Sequence, residues 1–326
     1  MGNFNYQKIC SDLISDLNKR QKEVISRRFG LNGLERETLE SIGKDFGVCR
    51  ERVRQIEEVG LEKIKPKLSQ YEKIFQAFLQ YFKESGGLKR EDILLADLGR
   101  EKKNEVYFLL SLRELFQRLN QNEEYHSFWT IDQNSLQLTK RVINLLSDQL
   151  QKIGKPLPFK DLTLPFSLKR EFLLSYLEIS KIIQKNQEGL YGLKNWPEIN
   201  PRGIKDKAYL VLKKIKKPLH FTDIAKMIEK ANLQTVHNEL IKDSRFVLVG
   251  RGTYALAEWG YLPGEVKEVI FKILKEAKKP LKKEEILKKV LEQRLVKENT
   301  ILLNLSNKKY FERDSLGRYR PKTEVI

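Results

Sequence analysis

Residues 38–68, TLESIGKDFGVCRERVRQIEEVGLEKIKPKL, contain two helical patterns with a glycine turn between them. Thr38 is a residue type that caps helix N-termini, and the apolar residues after it recur at helical spacing. Gly47 lies just past the end of the first pattern, where a helix C-terminal glycine belongs, and the second pattern starts at Arg50. Two helices joined by a short turn that contains glycine form a helix-turn-helix.

A further helix is predicted immediately upstream, in RQKEVISRRFGL. Its apolar residues lie on one stripe of the helix: Val24, Ile25, Phe29 and Leu31. The GLNG turn that overlaps its end stops the helix, because glycine favours a helix C-terminus. Residues 19–67 therefore read as one compact unit of short helices.

Four polar side chains of the second helix of the motif share one face, within an arc of about 140°: Arg50, Glu51, Arg54 and Gln55. Val53 and Ile56 point to the opposite side, toward the apolar residues of the preceding helix. The polar face occupies the first two turns, which is the part that enters the major groove in helix-turn-helix docking. Arginine can bond guanine, glutamate can accept from cytosine, and glutamine can pair with adenine.

Basic residues beside this face suit contacts to DNA phosphates: Arg28, Lys44 and Arg52. The same residue types also suit a solvated helix face with side-chain pairs four residues apart, such as Glu51 with Gln55 and Arg54 with Glu58. Residue types alone leave both interpretations open.

The chain carries a formal net charge of +18 over 326 residues. Residues 200–326 contribute most of it, with 29 basic against 16 acidic residues. Such an excess suits a polyanionic partner, and double-stranded DNA is the expected one. A lysine-rich composition that serves solubility is the alternative reading of the same charge.

Several classes of protein are not indicated by the sequence. Two cysteines are too few for a disulfide framework and suggest a reducing compartment, and the three histidines show no metal-ligand spacing. No stretch is apolar enough for a membrane span, and no secretory signal is visible. We therefore expect a cytoplasmic, nucleoid-associated protein with no cofactor, no metal, no membrane contact and no small-molecule substrate.

After the helix-turn-helix, one pattern recurs four times. A helix runs into a turn marked by glycine or proline, as in SGGLKREDIL, IGKPLPFKDL, IKKPLHFTDIA and AKKPLKKEEIL. Further helical sequence follows, and then two strand-like runs with a tight turn, as in HSFWTIDQNSLQL, KIIQKNQEGLYGL, RFVLVGRGTYAL and YFERDSLGRYR. Helices followed by a two-stranded hairpin describe a winged helix.

The predicted fold is mainly α with small β-hairpins, an N-terminal helix-turn-helix followed by a tandem array of winged-helix units. The predicted divisions are 1–68, 69–137, 138–199, 200–262 and 263–326. Residues 101–118 fit the repeat least well.

The N-terminal unit resembles region 4 of sigma-70-class bacterial sigma factors, through the signatures RFGL, TLExIG and RERVRQIE. That domain reads the promoter −35 element and docks on the flap of the RNA polymerase β subunit. The resemblance implies base contacts for Arg50, Glu51 and Gln55, and a DNA or activator role for Arg54. It implies DNA backbone contacts for a second set of residues: Arg28, Thr38 and Arg52.

Two departures from that family matter. Cys49 stands where the family has Ser or Thr to cap the recognition helix, and a thiol is a weaker acceptor. Nothing in the sequence resembles the aromatic-rich region that melts the −10 element, so the chain is not expected to start transcription as a complete sigma factor.

The third winged unit resembles the HARE-HTH domain, which is found in the delta subunit of RNA polymerase. KPLHF at 217–221 and the wing GRGTYAL at 250–256 carry this resemblance. Arg251, at the tip of that wing, is placed either to enter a minor groove or simply to be exposed in a tight turn.

These features predict a DNA-binding transcription regulator that engages promoter DNA, the RNA polymerase core, or both. The alternative is an RNA polymerase-associated scaffold that does not read DNA sequence. An enzyme is not expected, because Asp97, Glu101 and Lys103 form a nuclease-like spacing that is common by chance, and no phosphate-binding glycine loop or nucleophile elbow is present.

Overall fold

The computed structural model describes residues 4–132, 134–164 and 168–322. The chain is mainly helical and carries several small antiparallel sheets. Its contacts divide it into two compact units, Met1–Lys194 and Asn195–Ile326.

Four helices precede the repeats: α1 (Tyr6–Leu13), α2 (Lys19–Phe29), α3 (Leu39–Phe46) and α4 (Arg50–Ile64). A capping box starts α2, because the Asn18 side chain accepts from the Gln21 amide and the Gln21 side chain accepts from the Asn18 amide. The turn before α4 is closed by Gly47, whose φ of 63° lies in the left-handed region. The predicted helix-turn-helix is confirmed.

A 3-10 turn, Lys65–Tyr71, leads into the first repeat (72–130). Its elements are α5 (Glu72–Glu84), β1 (Leu88–Arg90), α6 (Glu91–Gly99), α7 (Lys103–Ser111), β2 (Gln117–Leu119) and β3 (Phe128–Thr130). The second repeat (135–193) has a 3-10 turn, Phe159–Asp161, in place of its middle helix. Its elements are α8 (Ser135–Ile153), β4 (Leu157–Pro158), α9 (Arg170–Ile179), β5 (Ile183–Lys185) and β6 (Leu190–Leu193).

The third repeat (203–256) has the same order of elements as the first: α10 (Gly203–Ile215), β7 (Leu219–His220), α11 (Phe221–Met227), α12 (Leu233–Lys242), β8 (Phe246–Gly250) and β9 (Thr253–Leu256). In the fourth repeat (266–321) the first strand is reduced to a bridge between Leu281 and Tyr319. Its elements are α13 (Val266–Ala277), α14 (Lys283–Gln293), α15 (Glu298–Leu305), β10 (Phe311–Arg313) and β11 (Tyr319–Pro321).

In the first three repeats the last strand is central, with orders β1-β3-β2, β4-β6-β5 and β7-β9-β8, all antiparallel. The hairpins predicted in the second, third and fourth repeats are confirmed. The one predicted at 126–138 is wrong in its second strand, because residues 135–138 begin α8. The partner of β3 is instead β2, and Gln133 of the predicted turn lies outside the described residues.

One hydrophobic core joins the helix-turn-helix region to the first repeat. It runs from Cys10 to Trp129 and includes buried residues of α1, α2 and α5 to α7. The Phe29 ring meets the Phe108 ring edge-on, with centroids 5.0 Å apart. The Cys10 thiol lies 3.8 Å from the Glu105 carbonyl oxygen, and its burial raises its pKa. The first repeat therefore packs directly on α1 and α2.

Three repeats place a left-handed residue at the same point, directly after their first helix. This residue is Gly154 in the second repeat, with φ 70°, whereas the third and fourth repeats use Lys216 (φ 57°) and Lys278 (φ 52°). A side chain with a Cβ atom is strained in that conformation, and glycine is not. The two lysines therefore reduce the stability of their own repeats.

We expect Lys216→Gly to raise the free energy of unfolding by about 0.5–1 kcal/mol, because relief of the backbone strain exceeds the added entropy of the unfolded chain. Denaturant titration followed by circular dichroism measures it. Gly154→Ala is the matched control and should lower stability by about 1 kcal/mol. Destabilisation by Lys216→Gly would show that its side chain holds the turn.

Candidate nucleic-acid interface

A small apolar cluster holds the helix-turn-helix together. Val24, Ile42 and Val53 are fully buried in it, one from each of α2, α3 and α4. Partly buried apolar residues surround them: Leu39, Phe46, Val48 and Ile56. This confirms the predicted packing of α4 on α3. Since the apolar side of α4 is anchored, its polar side faces outward.

Two glycines inside the helices allow this close packing: Gly43, the last residue of the signature TLExIG, and Gly60, which the sequence analysis did not single out. A Cβ atom on Gly43 would lie 2.7 Å from the Val48 carbonyl oxygen, so α3 comes near the turn that precedes α4. A Cβ atom on Gly60 would lie 2.8 Å from Ile25 Cδ1, where α4 crosses α2. Their signal in the sequence is a glycine inside a helical pattern, which often marks close contact.

All four predicted base-reading side chains are exposed: Arg50, Glu51, Arg54 and Gln55. The Arg54 guanidinium donates to both carboxylate oxygens of Glu51, at 2.8 and 3.0 Å, and to Glu58 Oε2 at 3.2 Å. The predicted pair of Arg54 with Glu58 is therefore confirmed. Gln55 accepts from Arg52 Nη1 at 3.0 Å and does not pair with Glu51 as predicted.

These pairs on α4 are open to solvent, so water and salt weaken them. The hydrogen bonds from Arg54 lower the pKa of Glu51, which keeps it an ionised acceptor. No hydrogen bond or ion pair joins the Arg50 guanidinium to any residue that the structure describes. Arg50 can thus bond a base edge without giving up a partner, whereas Glu51 and Gln55 must exchange one.

Arg27, which sequence analysis missed, positions the segment before α3. It donates to both carboxylate oxygens of Glu37 at 2.7 Å and also pairs with Asp45. These hydrogen bonds lower the pKa of Glu37. Arg28 Nη1 donates to the Glu37 carbonyl oxygen at 3.0 Å, so the neighbouring arginine is placed through the same residue. The sequence feature that could have indicated Arg27 is the pair of adjacent arginines, Arg27 and Arg28, before a polar segment.

Two of the predicted phosphate-contacting residues lie at helix N-terminal ends, Thr38 at the N-cap of α3 and Arg52 in the first turn of α4. The other two, Arg28 and Lys44, lie in the last turns of α2 and α3. Thr38 Oγ1 accepts from the Ser41 amide at 3.1 Å, and its hydroxyl proton remains available for donation. Lys44 is largely exposed, with its amine 3.9 Å from Glu40, and Arg52 is also exposed. Arg28 Nε lies 3.6 Å from Glu57 Oε1, and burial raises the pKa of Glu57.

One surface depression joins a base-reading residue to two phosphate-contacting ones. Its lining includes Arg50 from the start of α4, Arg28 from α2 and Thr38 at the start of α3. The amides of the first turn of α3 open at this position, where a helix N-terminus favours an anion. The tertiary structure thus brings together three residues that are spread over 22 positions of the chain.

Residues 13–65 match the profile of the family Sigma-70, region 4. Over 54 residues the chain is 46% identical to the RNA polymerase sigma factor SigA of a Bacillus species. The aligned segment covers 17% of this chain and 14% of that relative, so the chain spans a small part of the relative's length.

Residues 13–65 form a sigma-70 region 4 domain. Such a domain is a DNA-binding helix-turn-helix, and α3 and α4 are its two helices. The exposed polar side of α4 belongs to the second of these two helices.

Arg251 and the nuclease-like spacing lie outside this domain. Arg251 is exposed in the turn between β8 and β9, within the unit Asn195–Ile326. Asp97 accepts from the Tyr81 hydroxyl at 2.6 Å. Within the described ranges no cluster of three or more acidic, histidine or cysteine side chains is arranged to hold a metal ion. None of the described helices has both the length and the apolar character needed to cross a bilayer.

Cys49 stands at the N-cap of α4, is exposed, and makes no capping hydrogen bond with its side chain. We expect Cys49→Ser to raise the free energy of unfolding of the region 4 domain by about 0.5–1 kcal/mol, because a hydroxyl accepts from a first-turn amide. Thermal unfolding of the full chain measures it. Cys49→Ala is the control and should leave the melting temperature near its original value. Equal effects of both variants would mean that capping is not involved.

Proposed function

We propose that this chain is a bacterial transcription regulator that uses its region 4 domain to recognise −35-like promoter DNA, the RNA polymerase core through its β flap, or both. The proposal places it in the cytoplasm at the nucleoid. The observation that carries it is the exposed polar face of α4, on a helix whose other side is anchored by Val53. A sigma-70 region 4 domain with that face free is suited to a DNA groove.

In this proposal the first two turns of α4 enter the major groove. Arg50 bonds guanine O6 and N7 in a forked contact, and Gln55 bonds adenine N6 and N7 after leaving Arg52. Glu51 accepts from a cytosine N4 amine, while Arg54 keeps that carboxylate ionised and in place. Arg54 is therefore assigned a positioning role as well as a base or activator contact.

The backbone contacts hold the domain in register on the duplex. Arg28 and Thr38 meet one strand beside Arg50, since they line the same depression. Lys44 and Arg52 lie at the sides of the reading face. These contacts carry no sequence information, so they set affinity and its salt dependence rather than specificity.

We propose that the four repeats are winged-helix domains, with divisions near 68, 137, 199 and 262, and that the third is of the HARE-HTH type. In the first and second repeats, the helix that reads DNA in a winged-helix domain is packed against other parts of the protein. Buried residues of α7, including Phe108 and Leu109, belong to the core shared with α1 and α2. In the second repeat α9 packs against β1 of the first repeat, and its Leu173 and Tyr176 are buried. We assign these two repeats a structural role.

The third and fourth repeats contribute differently in this proposal. Residues 200–326 hold 29 basic and 16 acidic side chains, which suits nonspecific attraction to DNA. Arg251 at the wing tip would contact a minor groove. The corresponding helix α12, however, exposes Leu233 and Ile241, the latter at 62%. They lie eight residues apart, on one face of α12, and apolar side chains suit a protein partner better than phosphates.

We expect Arg50→Ala combined with Gln55→Ala to weaken binding to a −35-like duplex by a few kcal/mol and to leave binding to a scrambled duplex nearly unchanged, because base contacts are lost. Fluorescence anisotropy with both duplexes measures this. Lys44→Ala is the matched control, since it should weaken both duplexes equally and lower the salt slope by about 1. Equal loss on both duplexes for the double variant would contradict sequence reading.

The second candidate function is an RNA polymerase-associated scaffold that does not read DNA sequence. The exposed apolar side chains of α12 favour it. Under this reading Ile241→Glu should abolish pull-down of RNA polymerase by the full chain, and Arg50→Ala with Gln55→Ala should leave the pull-down intact. If the Ile241→Glu variant still retains RNA polymerase, the exposed side chains of α12 no longer favour the scaffold function.

A further inference from the structure

A second cleft lies beside Thr38, where the region 4 domain meets the first repeat. Its lining contains three arginines: Arg28 of α2, Arg36 of the segment before α3, and Arg118 of β2. Arg118 lies outside residues 13–65, so it is not part of the region 4 domain. Arg36 and Arg118 are both exposed, and an anion can therefore reach them.

Aromatic residues of the first repeat hold these two arginines in place. The Tyr107 ring lies under both guanidinium groups, 4.3 Å from that of Arg36 and 5.7 Å from that of Arg118. Arg118 Nη2 also donates to Glu91 Oε1 at 2.9 Å, and Glu91 accepts from Trp129 Nε1 at 3.0 Å. Stacking on the ring leaves the edge of the Arg36 guanidinium open to a phosphate. Arg118 also donates through Nε to Glu91 Oε2 at 2.5 Å and through Nη1 to Asn120, so it must exchange one of these partners to bond a phosphate.

Positive charge exceeds negative charge in this cleft. Its lining holds two carboxylates, Glu37 and Glu91, against the three arginines. Glu37 is already engaged by Arg27, which lies next to the cleft. Arg28 Nε is buried and lacks a hydrogen-bond partner among the described residues. That buried atom lies 3.6 Å from Glu57 Oε1 and is closed to an anion. No hydrogen bond or ion pair joins the exposed Arg36 guanidinium to any residue that the structure describes, so Arg36 is the donor of the cleft that is open to an anion.

Arg28 and Thr38 line this cleft and also the depression that contains Arg50. The two depressions thus form one continuous surface from Arg50, past Arg28 and Thr38, to Arg36 and Arg118. We name this surface the arginine track. It starts at the reading end of α4 and ends on the first repeat.

We propose that the arginine track binds successive backbone phosphates of the DNA duplex, and that Arg36 and Arg118 contact the flank outside the base pairs that α4 reads. This rests on the proposed DNA binding of the region 4 domain. It gives the first repeat a binding role although its own helix α7 is buried. Phosphate neutralisation by arginine is sequence-independent, so the track would extend the footprint without altering the sequence preference.

The test compares the double variant, Arg36→Gln with Arg118→Gln, with the unchanged full chain on three duplexes. One duplex ends at the edges of the −35-like site, and each of the other two is longer by one helical turn, about 10 bp, on one side. We expect about tenfold weaker binding at low salt on one of the longer duplexes and a salt slope smaller by about 2. Binding to the short duplex should equal that of the unchanged chain.

Lys83→Gln is the matched control. Lys83 is an exposed cation of α5 in the same repeat and lines neither cleft, so its removal should change neither affinity nor slope. Thermal unfolding of the double variant identifies any damage to the fold. If Arg118 serves only its pair with Glu91, the melting temperature falls and the salt slope on the longer duplexes is unchanged, which would overturn the proposal.

Failure of the track and failure of the proposed function give different results. If the unchanged chain shows no preference for the −35-like duplex over a scrambled one, sequence reading fails. The track is then still tested by the length dependence on the scrambled duplexes. If the chain prefers the −35-like site but the double variant loses affinity equally on short and long duplexes, only the proposed role of the arginine track is wrong.

Discussion

The edge-on contact between Phe29 of α2 and Phe108 of α7, at 5.0 Å between ring centroids, joins the region 4 domain to the first repeat. Because α7 packs on α1 and α2 through it, the apolar side of the region 4 domain is covered by the chain's own first repeat. The uncovered side is the polar face of α4. The same contact brings β2, and with it Arg118, to the cleft beside Thr38.

The helix α4 of the region 4 domain and the corresponding helix α7 of the first repeat differ in what they expose. In the region 4 domain, α4 buries Val53 and exposes arginine, glutamate and glutamine over its first two turns. In the first repeat, the sequence KNEVYFLLS of α7 buries Val106, Phe108, Leu109 and Leu110. A helix that is apolar on most sides is stabilised by burial and cannot present itself to DNA. The hydrophobic pattern therefore distinguishes α4, which exposes a polar face, from α7, which is packed into the core.

Prediction from the amino-acid sequence succeeded for elements that neighbouring residues specify. Helical spacing, the Thr38 cap and the left-handed Gly47 predicted α2 to α4, and turn residues predicted three of the four hairpins. It was wrong where pairing is distant. The strand β2 is three residues long and mostly polar, so its pairing with β3 has no periodic signal, and residues 135–138 were assigned to a strand although they begin α8.

By itself, the sequence determined the helix-turn-helix, the polar face of α4 and the repeated order of helices and strands, because short-range propensity and spacing specify each of them. Only the tertiary structure decided which faces are covered and which side chains meet. The shared core of α2 and α7 and the approach of Arg118 to Thr38 depend on contacts between distant residues. Such contacts arise from the packing of whole elements, which no local pattern records.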